Sequence, residues 1–204
     1  MPFTARRNPA GGVRQPRRAV AAVCDIWVQR WLGPLTEDAL ARNLQDIVGA
    51  KLTRKGRFTP NEAPFLKQHA PGPFKVCTPA AMQHAISRYK PGVTDKIYPT
   101  IHDMLQDVAT IMRGEVQALI DEGASYVQLD APSYSTFFDP KRRASLDASG
   151  VNSAEALDAA IAADNGMIRG IKRRPETTIG MHFCRGNKRS AWGAEGSYEP
   201  IAEK

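Results

Sequence analysis

Apolar positions are most regular between Thr100 and Asp121, where Ile101, Met104, Leu105, Val108, Ile111, Met112, Val116, Leu119 and Ile120 recur at three- and four-residue steps. That period sets them on one stripe of a helix, which Gly123 ends. The pattern then switches to the alternation of Tyr126-Val-Gln-Leu-Asp130, a short strand closed by Ala131-Pro132. A second helix is predicted from Asn152, with Glu155 in its first turn, through Leu157, Ala160, Ile161, Met167 and Ile168. After Arg173-Arg-Pro175 comes Thr177-Thr-Ile-Gly-Met-His-Phe-Cys184, a second strand running into the Gly- and Asn-containing loop Arg185-Gly-Asn-Lys-Arg-Ser. Upstream, Phe74-Lys-Val-Cys-Thr78 before Pro79 also reads as a strand. Val20, Val23, Ile26, Trp27, Trp31 and Leu32 suit a helix over 19–33, ended by Gly33-Pro34. Thr36, Glu37 and Asp38 start another, whose stripe of Leu40, Leu44, Ile47 and Val48 stops at Gly49. The order helix, strand, helix, strand predicts an α/β fold of parallel strands joined by right-handed crossovers, with the strand ends on one edge.

Length and charge narrow this picture. A chain of 204 residues makes one sizeable domain but falls short of the about 250 residues of a complete (β/α)8 barrel. The expectation is one domain or part of one. No run approaches the roughly 20 apolar residues of a membrane span, and the six-residue stretch Ala19-Val-Ala-Ala-Val-Cys24 is too short for a secretion signal. Three cysteines form no paired framework, which points to the reducing cytoplasm. The net charge of +7 owes five charges to Arg6, Arg7, Arg14, Arg17 and Arg18, which with Pro2, Pro9, Gly11, Gly12 and Pro16 make residues 1–18 a disordered basic tail. The rest, 19–204, is close to neutral and shows no basic face interleaved with aromatics, so nucleic acid is not an expected partner.

Candidate chemistry gathers at two strand ends. Side chains two apart on a strand project to the same face, so His182 and Cys184 present an imidazole and a thiol together, and Gln128 and Asp130 do the same on their strand. An imidazole and a thiolate are half of a tetrahedral zinc set. Parallel α/β folds build their active sites at such carboxyl ends. Thr78 at the end of the first strand reads first as turn chemistry, with a place in the pocket as the alternative. Arg185 and Asn187 either face substrate or structure the loop. His69, His84 and His102 have no partner at ligand spacing and read as surface or packing residues.

Tyr126-Val-Gln-Leu-Asp-Ala-Pro132 and Gly180-Met-His-Phe-Cys-Arg-Gly-Asn187 resemble the catalytic domain of cobalamin-independent methionine synthase, and more closely its short single-domain relatives, over about Gly49 to Lys204. The resemblance implies a (β/α)8 barrel, here partial, that binds zinc through a His-x-Cys strand and holds homocysteine as its thiolate. It gives His182 and Cys184 the first two ligand positions, Asp130 the contact to the amino group of the amino-acid substrate, and Gln128 the place before it. Two departures stand out. Ala131 sits where the family often has Glu, and the chain reaches Lys204 before the family's third and fourth ligands arrive. Glu195, Glu199 and Glu203 in the last segment read as solvated carboxylates at a helix start.

The function expected from this resemblance is zinc-dependent methyl transfer from 5-methyltetrahydrofolate to homocysteine. The alternatives are another zinc-dependent alkyl transfer to a thiol, or an inactive truncated fragment. Coordination deprotonates a thiol whose reference pKa is about 8.5 while leaving its sulfur nucleophilic, which is the use such a site has for the metal.

Overall fold

The computed structural model describes residues 47–84, 86–188 and 191–202, all within one unit, Gln45–Lys204. The expected basic tail over 1–18 and the helix over 19–33 lie outside the described residues. So does the second helix, except for Ile47 to Gly49, which are irregular.

Three strands carry the architecture: β1 (Lys75–Pro79), β2 (Tyr126–Asp130) and β3 (Thr178–His182). They are parallel and lie in the order β1-β2-β3. Short α1 (Glu62–His69) precedes them. Between β1 and β2 runs α2 (Ile101–Asp121), the helix that the apolar stripe predicts. Thr100 caps it: its hydroxyl accepts from the Asp103 amide while the Asp103 carboxylate accepts from the Thr100 amide, which satisfies two otherwise orphan donors. The β2–β3 connection holds α3 (Ser135–Phe138), α4 (Pro140–Ala148) and α5 (Ser153–Ile168). Asn152 caps α5 by accepting from the amides of Ala154 and Glu155.

The two long helices pack on each other, so both cover one face of the sheet. Along the strands that face receives Val76, Thr78, Val127 and Leu129, all at most 1% exposed. Consecutive neighbouring strands with their crossover helices on one side form an arc of a (β/α) barrel. A doubly wound sheet instead reverses strand order and carries helices on both faces. The chain is thus an α/β protein, and the arc is part of such a barrel. Among the described residues no helix is long and apolar enough to cross a membrane.

Three findings differ from the sequence reading. Thr78 is no pocket residue, because alternation turns it toward the helices with Leu129 beside it. The loop after Cys184 contains a small antiparallel pair, β4 (Asn187–Lys188) and β5 (Ala191–Trp192). Helices α1 and α4 are also present, where polar segments without an apolar stripe left no signal; α4 starts because the Asp139 side chain accepts from the amides of Lys141 and Arg142.

Candidate active site at the strand tips

Register decides which side chains meet on the face that the helices do not cover. Pro79, Asp130 and His182 pair across the three strands at their last positions, and Cys77, Gln128 and Gly180 pair one step of alternation earlier. Gln128, Asp130 and His182 therefore share a face, and Asp130 stands directly beside His182. The strand ladder continues past the tips, with the Ala80 amide donating to the Asp130 carbonyl and the Ala131 amide to the His182 carbonyl, each at 2.9 Å. That pairing fixes the backbone on both sides of the two side chains.

Asp130 is held from below. Its Oδ1 accepts from Gln128 Nε2 at 2.7 Å, and Gln128 Oε1 accepts from Lys75 Nζ at 3.1 Å. Lys75 also lies over the Tyr126 ring, 5.9 Å from its centroid. No local pattern points to Lys75, since its place depends on register between strands far apart in the chain. Tyr126 explains Gly180: a Cβ there would fall 2.0 Å from the Tyr126 hydroxyl oxygen, so the glycine leaves room for the ring to lie across β3. Asp130 is half-buried and stands beside an exposed imidazole, and among the described residues its other carboxylate oxygen has no side-chain partner.

Cys184 lies beyond the end of β3, which stops at His182, and is half-buried. The sequence reading carried the strand through both residues; the structure ends it at His182. After Cys184 the chain is tied down by Arg185, whose guanidinium sits over Trp192 at 4.9 Å and over Tyr198 at 5.3 Å. Arg185 thus structures the loop. Phe183, between the two candidate donors, packs edge-on against Tyr134 with ring centroids 5.3 Å apart.

Among the described residues no group of three or more His, Cys, Asp or Glu side chains is arranged to hold a metal ion. An imidazole and a thiol of the kind zinc accepts thus stand at His182 and just past the strand end at Cys184. Glu195 and Glu199 do not join them: Glu195 is exposed, and the Glu199 carboxylate meets Ser197 at its own helix start, α6 (Glu199–Ala202). A cavity of about 300 Å³ between residues 47–55 and Arg88 is lined by none of the candidate site residues.

Fold and site together define a parallel α/β protein of the (β/α) barrel type with polar side chains clustered at its strand tips. No profile of a known protein family matches the chain. Two proteins of Bacillus subtilis (strain 168) are similar in sequence, both described as uncharacterized. YxjH is 38% identical over 108 residues, 52% of this chain and 28% of its own. YxjG is 34% identical over 97 residues, 48% of this chain and 25% of its own. The chain therefore spans about a quarter of the length of these curated relatives. A B12-independent methionine synthase from Shewanella sp. W3-18-1, solved in complex with selenomethionine, superposes on 66% of this chain and 33% of its own, with a TM-score of 0.48 and 22% identity. A likeness of that size does not assign an activity.

Proposed function

We propose that the chain carries part of the active site of a cytoplasmic enzyme that transfers a methyl or other alkyl group to the thiol of a small amino acid. The observation that supports this most is the row at the strand tips, where Asp130, braced by Gln128 and Lys75, stands beside His182 with Cys184 just beyond. The reaction suited to the sequence resemblance is methyl transfer from 5-methyltetrahydrofolate to homocysteine.

In this reading Asp130 accepts a charge-assisted hydrogen bond from the substrate ammonium, and the Gln128 amide keeps its carboxylate aimed. A fixed ammonium orients the substrate's sulfur toward His182 and Cys184. In the transfer, the sulfur forms a bond to the methyl carbon as the carbon–nitrogen bond of the donor breaks; the bonding pair stays on the nitrogen, which takes up a proton. His182 and Cys184 would hold a zinc ion together with ligands from outside the described residues. When bound, such an ion supplies a thiolate at neutral pH. The incomplete ligand set among the described residues favours a second reading, in which this chain binds substrate but does not turn it over alone.

Homocysteine titrated calorimetrically into the zinc-supplemented chain tests the proposal. Asp130→Asn is expected to weaken binding by about tenfold or more, the scale of a hydrogen bond to a charged group, without changing metal content. Equal affinity in both proteins would remove Asp130 from the site.

A further inference from the structure

The turns after β1 and β2 are joined through one buried carboxylate, and a ring contact leads from there to the segment after β3. Asp164 lies in the last two turns of α5 and is 3% exposed. Its Oδ1 accepts from the Met82 amide at 3.1 Å, in the turn directly after β1. Its Oδ2 accepts from the Tyr134 hydroxyl at 2.9 Å, in the turn directly after β2. The same two turns are also joined by the Ser133 amide donating to Gln83 Oε1 at 3.0 Å. The Tyr134 ring then reaches the segment after β3, where it meets Phe183 with rings 73° apart. Phe183 is 39% exposed, so Tyr134 supplies a contact that little other burial replaces.

Burying a carboxylate costs several kcal/mol that an apolar side chain in its place would not. What the carboxylate adds is direction: two acceptor oxygens fix two donors from different loops at set distances and angles. From its hydroxyl to its ring edge, Tyr134 carries that fixation across to the residue between the imidazole and the thiol.

We propose that Asp164 and Tyr134 are positioning residues for the His182–Cys184 segment, acting through the ring contact of Tyr134 with Phe183. This deepens the site assignment above and rests on it for its functional meaning. Neither residue touches substrate; both set where the two donors stand relative to Asp130.

The test reads the thiol itself in the metal-free 204-residue chain. The rate of iodoacetamide alkylation at Cys184 is followed by peptide mass spectrometry, which scores Cys24 and Cys77 separately, for wild type, Tyr134→Phe, Phe183→Leu and the double variant. Tyr134→Phe keeps the ring and its packing and loses only the bond to Asp164, with circular dichroism of each variant checking that it folds. The expected result is a change of about two- to tenfold in the Cys184 rate on Tyr134→Phe, the scale of an aromatic contact. That change vanishes in the Phe183→Leu background, and the Cys77 rate does not follow it. An unchanged Cys184 rate, the same change in both backgrounds, or a parallel change at Cys77 would each overturn the proposal. Asp164→Asn, read the same way, is expected to act in the direction of Tyr134→Phe, and an opposite or absent effect counts against it. Labelling needs neither metal nor homocysteine. Homocysteine binding can therefore fail while this coupling holds, and the coupling can fail while Asp130→Asn still weakens binding.

Discussion

At the scale of single residues, the side chains that make the candidate site were legible to different degrees. Asp130, Gln128 and His182 follow from alternation on strands whose limits the apolar pattern marks, so their common face was readable. Lys75 and Tyr134 were not, because each enters through pairing or packing between segments about fifty residues apart, which no local period encodes. Thr78 is the informative error. Alternation along β1 alone leaves both faces open, and only the helices packed on Val76 and Leu129 decide that Thr78 points into the core. There its hydroxyl oxygen has no hydrogen-bond partner among the described residues. A buried hydroxyl without a partner carries its desolvation cost uncompensated, so Thr78→Val is expected to stabilise the fold by about 1 kcal/mol in chemical denaturation. A Val variant less stable than wild type would mean that the hydroxyl is satisfied, for instance by an ordered water.

At the scale of elements, the long helices and the three core strands were readable because their apolar periods extend over enough residues to be distinctive. The β4–β5 pair, with two residues per strand, leaves no period to detect. A different device fastens α2 to the segment before α1. Glu115 is fully buried on α2, yet it accepts from the Thr59 amide and hydroxyl and from the guanidinium groups of Arg54 and Arg57, and Arg57 also pairs with Glu122. Burial pushes the Glu115 carboxyl up, but the hydrogen bonds from Thr59, Phe58 and Arg57 outweigh it, and the net position is below the usual carboxylate value. Its contribution to stability is therefore present above the unfolded value and lost as pH falls through the lower folded one. Glu115→Gln leaves two arginines and the Thr59 donors under-satisfied and is expected to cost about 3 kcal/mol at neutral pH. A cost below about 0.5 kcal/mol, the size of a surface pair, would show that solvent screens this network.

At the scale of the molecule, acid stability is set by carboxylates that pull in opposite directions. Burial raises Asp164 to about 6, with the Met82 amide, the Tyr134 hydroxyl and the Ala81 amide opposing the rise. Between the unfolded value of about 3.8 and that folded value the native state binds more protons than the unfolded chain. The Asp164 contribution therefore favours the fold at the acidic end of this window and is lost as pH rises through about 6, by about 3 kcal/mol in all. Glu115 has the opposite sign, so the wild-type profile mixes the two. The difference between wild type and Asp164→Asn isolates the term, and denaturation from pH 4 to 7 is expected to show wild type losing stability relative to the variant as pH rises. A constant difference across that range would mean that Asp164 titrates as an ordinary carboxylate.

In the proposed function His182, Cys184 and Asp130 serve one site for a metal-bound thiol. A cobalt(II) titration followed by thiolate-to-cobalt absorption, with and without homocysteine, tests it most directly. The account predicts a band in wild type that Cys184→Ser abolishes, that His182→Ala weakens, and that grows on adding homocysteine at a concentration that Asp130→Asn raises. A band absent from wild type, or one that persists in Cys184→Ser and ignores homocysteine, would contradict it.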